Sequence, residues 1–268
     1  EAVDAARKAD VVIFVGGLNK NENQDCEGAD RRSLNLPYGQ DELIGELARV
    51  NRNLVAVIIS GNAVAMPWVN EVPAIVEAWY GGTEAGNAIA SVLAGEVNPS
   101  GKLPFTFPVR LEDNPAIALD AYPGDGKQVE YKEGIFVGYR WNDREQIKPL
   151  FCFGHGLSYT TFEYGKVTAE GRQMGPDGTI TVSVPVKNTG SRAGAEIVQL
   201  YVSDLKSSLP RPVKELKGFK KVFLQAGEEQ VVEIEIPVRS FAFYDEQTAD
   251  WKLENDSYSL HVASSSEA

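Results

Sequence analysis

The chain has 268 residues, 43% of them hydrophobic and 24% charged, with a formal net charge of −12 and a pI of about 4.8. That length holds two domains, each able to bury its own core. So acidic a surface repels phosphate backbones and anionic lipid, which sets aside nucleic acid and membrane partners and leaves a neutral ligand such as a sugar compatible.

The opening "EAVDAARKADVVIFVGG" is half a helix running into a strand; it reads like a cut through a longer protein, and no targeting leader is visible in it. "DVVIFVG" (10–16) has the β-branched pattern of a buried parallel strand. An acidic loop follows, and then "LPYGQDELIGELARV" places Leu43, Ile44, Leu47 and Val50 at helical spacing. "LVAVIISG" (54–61) repeats the strand pattern, "AIVEAWY" (74–80) follows, and "TEAGNAIASVLAGE" predicts a helix with Thr83 as N-cap and Gly95 near its end. "KLPFTFP" is expected as a last extended segment. Strands alternating with helices predict an α/β sandwich with a mostly parallel sheet. Residues 108–150 lose this rhythm and are expected as a long surface excursion.

Beyond residue 158 the pattern changes to period two. In "EQVVEIEIPV", Val232, Ile234 and Ile236 alternate with Glu233 and Glu235, so one face is buried and the other wet. Several such segments predict an all-β sandwich of immunoglobulin or fibronectin type. The expected domains are therefore 1–150, α/β, truncated at its N-terminal side and ending in a long linker, and 151–268, all-β.

No Walker loop, HExxH, paired CxxC or GxSxG is present, and no metal or cofactor is expected. Cys26 and Cys152 match no metal spacing; two free thiols or a single bridge both remain open. His261, in a terminal strand, and His155, in "FGHGLSYT", read as packing or structural hydrogen-bonding groups before catalytic ones. Trp79, Tyr80, Tyr139 and Trp141 are open between stacking on a sugar and filling a core. What remains is the loop "GGLNKNENQDCEGADRRSLNLPYG", with Glu22, Asp25, Glu27, Asp30, Arg31 and Arg32. It leaves the carboxyl end of a parallel strand, where ligands bind in open α/β sheets. Crowded carboxylates raise one another's pKa, as a general acid needs, and Gly28 gives the backbone freedom to aim Glu27. A solvated loop with Asp30 paired to Arg31 or Arg32 explains the same spacing.

Four segments in order, "GLNKNENQDCEGADRRSLNLPYGQDELI", "VPAIVEAWYGGTEAGNAIASVLAGEVNPSGKLPFTFP", "GIFVGYRWND…PLFCFGHGLSYTTFEY" and "VPVKNTGSRAGAEIVQLYVSD", resemble the C-terminal half of glycoside hydrolase family 3 enzymes, the three-domain β-glucosidase and β-xylosidase type. The resemblance implies a fibronectin type III-like last domain and a retaining, exo-acting hydrolysis of β-linked glycosides. It also implies a general acid/base glutamate on a loop of the α/β domain and an aspartate nucleophile on an N-terminal (β/α)8 barrel. In the family motif the acid/base precedes a Gly-x-Asp-Arg element, here "CEGADR", so the role falls on Glu27, with Glu22 as the alternative because loop length varies. Asp30 and Arg31 then shape the loop. No barrel occurs in these residues, so the chain alone is expected to be inert, with that barrel as its partner. Export to the periplasm or medium is implied by the family's habits only, and the sugar is left open. Two competing readings are a carbohydrate-binding or structural module, and a flavodoxin-like nucleotide domain, against which the missing glycine fingerprint argues.

Overall fold

The computed structural model describes residues 1–172, 175 and 177–267. They form two compact units: Glu1–Ala94 with Phe107–Asn114, and Gly95–Thr106 with Pro115–Ala268.

The first unit is α/β. Helix α1 (Ala2–Ala6) leads into β1 (Val12–Gly17), α2 (Gln40–Val50), β2 (Leu54–Ile59), β3 (Ala74–Glu77) and α3 (Ala85–Leu93). The strands lie side by side in the order β1-β2-β3, all parallel, with Phe14 opposite Ala56 and Ala56 opposite Ile75. Central β2 is buried almost throughout, with Leu54, Ala56, Val57 and Ile58 sealed from solvent. Ile44, Leu47 and Ala48 repeat at i, i+3 and i+4 and form the buried stripe of α2. Each such side chain contributes roughly 1.5–3 kcal/mol by leaving water. β1 departs from its sequence reading. Phe14 is buried but Ile13 and Val15 are 52% and 56% exposed, because they point to the opposite face of the sheet, which no described residue covers at β1.

Two side chains join the ends of these elements. Gln40 donates to the Gly17 and Pro37 carbonyls and accepts from the Gly17 N–H (2.7 Å), tying the end of β1 to the start of α2. Gly17 has to be glycine: its φ is +139° and a Cβ would lie 2.0 Å from the Ile59 carbonyl oxygen. Buried Asp41 accepts from the Leu36 N–H, the Asn35 amide and the Trp68 indole N–H. At α3 the expected Thr83 cap gives way to a 3-10 turn, Gly82–Glu84, and the helix is capped at Glu84 without a side-chain bond. Gly95, at φ +74°, stops the helix as anticipated.

The second unit is an antiparallel sandwich. Stretch 115–150 is not featureless: it holds α4 (Pro115–Ala118) and α5 (Tyr139–Glu145), too short to show helical periodicity in sequence. "KLPFTFP" forms no strand. The sandwich strands are β4 (Phe162–Tyr164), β5 (Thr168–Arg172), β6 (Thr179–Asn188), β7 (Gly194–Asp204), β8 (Glu215–Leu224), β9 (Glu229–Pro237) and β12 (Tyr258–Ala263), with a hairpin of β10 (Phe243–Asp245) and β11 (Asp250–Lys252). One sheet runs β12-β7-β8. In the other, β6 pairs with β9 along one edge and with β4 and β5 along the other. Val182, Val184 and Val186 of β6, Val198, Leu200 and Val202 of β7, Val222 and Leu224 of β8, and Val232, Ile234 and Ile236 of β9 form the core, in the period-two register the sequence displays. Asn188 knots one end: its side chain accepts from Thr160 Oγ1 (2.6 Å) and the Gly190 N–H, and donates to the Arg192 and Leu224 carbonyls.

The segments around "GYRWND" and "FGHGLSYTTF" pack within this unit. Tyr139 stacks on Phe153 at 5.1 Å and meets buried Tyr201 edge-on, while Gln199 donates to the Gly154 and Ser264 carbonyls. Trp141 is buried and Tyr139 is half-buried among these rings, so both take part in packing this unit. His155 stacks on Phe151, and burial followed by the charge of Lys102 holds its imidazole below the usual range, which suits a structural role. Both cysteines are free thiols.

Candidate functional site

The carboxyl ends of β1, β2 and β3 present Gly17, Ser60 with Gly61, and Glu77 with Trp79 and Tyr80. The acidic loop returns across this edge. Its first part is stiffened locally: Asn19 bonds Gln24 through its N–H (3.0 Å), Asp25 donates its N–H to the Asn19 carbonyl (2.9 Å), and the Gln24 amide reaches the Tyr38 hydroxyl.

Cys26 and Ala29 then face each other across a tight turn, closed by the Cys26 thiol on the Ala29 carbonyl (3.4 Å), with Glu27 and Gly28 at its tip. The turn is anchored on both sides. Before it, Asp25 Oδ2 accepts from the Gly61 N–H (2.6 Å) and from the Tyr80 hydroxyl (2.8 Å). After it, Arg31 donates to the Ala63 carbonyl. Both anchors end on the segment leaving β2 or β3, so the tip is fixed to the sheet although it is a loop.

Glu27 itself is exposed, and no hydrogen bond or ion pair to another described residue occupies it. Glu22 is exposed further back, and Asp30 is exposed beside Arg31. Gly28 plays no visible part in aiming: it has no positive φ, and a Cβ there would meet nothing within 4 Å. Gly61 has a clearer reason. A Cβ there would lie 2.9 Å from the Tyr80 ring and 3.3 Å from Asp25 Oδ2, so only glycine lets the clasp close.

Electrostatics single out a carboxyl at the end of β3: Glu77 rises to about 7, chiefly by burial, and with a smaller contribution from Asp25. Burial pushes the Tyr80 phenol up to about 12, helped by its bond to Asp25. Burial lowers the Arg31 guanidinium against the pull of Asp25. Sequence reasoning missed Glu77. The available signal was an acid closing the apolar run "AIVE", at the strand end where open sheets bind ligands. Nothing in the sequence pointed to the contact between Asp25 and Tyr80, which are 55 residues apart.

A parallel sheet with helices, followed by an antiparallel sandwich, places the chain in a known class. Residues 1–139 match the glycosyl hydrolase family 3 C-terminal domain and residues 196–266 the fibronectin type III-like domain. The chain belongs to glycosyl hydrolase family 3. It is 55% identical over 268 residues to beta-glucosidase BoGH3A of Bacteroides ovatus, covering 99% of this chain and 36% of that relative. It is 48% identical to thermostable beta-glucosidase B of Acetivibrio thermocellus, covering 35% of it. The crystal structure of DesR, a beta-glucosidase from Streptomyces venezuelae in complex with D-glucose, superposes with a TM-score of 0.93 at 40% identity, over 99% of this chain and 33% of that one. The chain thus spans about a third of the length of the relatives it matches.

Proposed function

We propose that this chain forms the C-terminal part of a retaining, exo-acting β-glucosidase and supplies its general acid/base, Glu27. The observation that carries the reading is the position of that carboxyl: unoccupied, at the tip of a turn anchored on both sides, at the carboxyl edge of a parallel sheet. The similarity to β-glucosidases supplies the reaction class. Retaining hydrolysis needs a second carboxyl about 5–5.5 Å away across the scissile bond. In this reading it is an aspartate on a (β/α)8 barrel outside these residues, and the chain alone is inert. The substrate is a β-linked glucoside or short oligosaccharide.

Glu27 acts twice. It gives its proton to the departing glycosidic oxygen while the aspartate attacks the anomeric carbon, then takes a proton from the water that releases the glycosyl-enzyme, keeping the configuration. Arg31 and Asp30 shape the loop and do no chemistry. In the full-length protein, Glu27→Ala slows substrates with poor leaving groups far more than activated aryl glucosides, and azide restores turnover of the activated ones. Wild-type rates on poor leaving groups would remove Glu27 from the role; a leaving-group effect seen instead in Glu22→Ala would move it there.

A further inference from the structure

We propose that Glu77 is a positioning residue whose carboxylic-acid proton holds Ser60, and with it the clasp beneath the Glu27 turn. The inference rests on the reading of Glu27 as acid/base. Glu77 is the last residue of β3, opposite Ile58 of β2. Its Oε1 lies 3.2 Å from Ser60 Oγ and 3.2 Å from the Trp79 N–H. Ser60 is sealed from solvent and has one hydroxyl proton, and the Asn62 carbonyl, an acceptor only, lies closer at 2.8 Å. That carbonyl therefore takes the Ser60 proton. The contact between Ser60 and Glu77 then needs a proton from Glu77, which a carboxylate lacks. The other oxygen, Oε2, is buried without any hydrogen bond, a position tolerable for the carbonyl of a neutral acid and costly for a desolvated carboxylate.

The residues that Glu77 fixes are neighbours of the clasp. Ser60 precedes Gly61, whose N–H holds Asp25, and Trp79, in the left-handed region at φ +53°, precedes Tyr80, whose hydroxyl holds the same oxygen. Trp79 is not a glycine, so that conformation needs holding, and the bond from its N–H to Glu77 helps hold it. The titratable groups that act on Glu77 are Asp25 from the loop and Tyr80 beyond β3. Loss of the proton removes the donor to Ser60 and sets a second negative charge near Asp25. Both effects loosen the Glu27 turn.

The test is hydrogen exchange of residues 19–31 in the full-length protein, corrected for the intrinsic pH dependence of exchange, from about pH 6 to about pH 8. Protection in the wild type should fall by up to about tenfold across neutrality, the worth of one net hydrogen bond. In Glu77→Gln, which cannot titrate, it should be level. The kcat on poor leaving groups should follow the same step, with KM unmoved. A wild-type loop with level protection overturns the proposal whatever the variants do, and so does a step that survives Glu77→Gln. The two readings fail separately: a Glu77-dependent step in exchange with no leaving-group effect in Glu27→Ala would retain the coupling and discard the acid/base assignment.

Discussion

Asp25→Ala removes the acceptor that joins the loop to two strands at once. Its Oδ2 receives the Gly61 N–H and the Tyr80 hydroxyl at 2.6 and 2.8 Å. Hydrogen bonds to an ionised group are worth about 1.5–3 kcal/mol each. Tyr80 is 43% exposed, so water replaces part of what is lost, and a cost of about 2–3 kcal/mol to the closed loop follows. Asp25→Asn keeps an oxygen in place without the charge and should lose about half of that. Two measurements read the effect. Hydrogen exchange over 19–31 should accelerate by about thirtyfold or more in the alanine variant. A difference ultraviolet titration should show one phenol moving down from about 12 towards 10, by the share owed to Asp25; the larger share owed to burial stays while the ring remains packed. The sign follows from linkage. A phenol whose folded pKa is raised contributes stability that is complete below about 10 and lost as the pH passes about 12, so Asp25→Ala narrows that window. Unchanged exchange together with an unmoved Tyr80 titration would show that the clasp carries no weight.

Three other outcomes are expected. Gly61→Ala places a methyl against the Tyr80 ring and should cost about 1–2 kcal/mol in the same exchange assay, sub-additively with Asp25→Ala because both break one clasp. For Glu77, whose folded pKa of about 7 exceeds the ordinary 4.5, stability is complete below about pH 4.5 and declines until about pH 7 by at most about 3 kcal/mol; urea denaturation at a series of pH values should show that slope, and Glu77→Gln should remove it. Asn188→Leu strands Thr160, Gly190 and the Arg192 and Leu224 carbonyls inside the sandwich and should cost about 3–5 kcal/mol, read as a melting shift of the second unit; a loss under about 1 kcal/mol would contradict the bonding described.

The sandwich was the most legible part of the fold, since Val232, Ile234 and Ile236 alternate with glutamates and the structure buries them in that order. Periodicity could not tell a strand covered on one face from one covered on both, so Ile13 and Val15 were read as buried when only the opposite side of β1 is covered. Helices of four and seven residues, α4 and α5, are too brief to leave a 3.6-residue signature and looked like loop. At the candidate site, the sequence drew attention to the acidic loop and passed over the elevated carboxyl of Glu77. Crowding of loop carboxylates is a local property; the burial of Glu77 arises from the approach of chain segments far apart in sequence, and no window of residues records it.

The paired tethers at Asp25 and Arg31 have a consequence for how such a loop tolerates change. Because the tip takes its position from what flanks it directly, the run Lys20–Asn23 can be lengthened or rebuilt without moving the carboxyl at residue 27, provided Asn19 and Gln24 still meet. If Glu27 is the acid/base proposed above, that stretch is where the loop can be rebuilt while the proposed proton donor keeps its position.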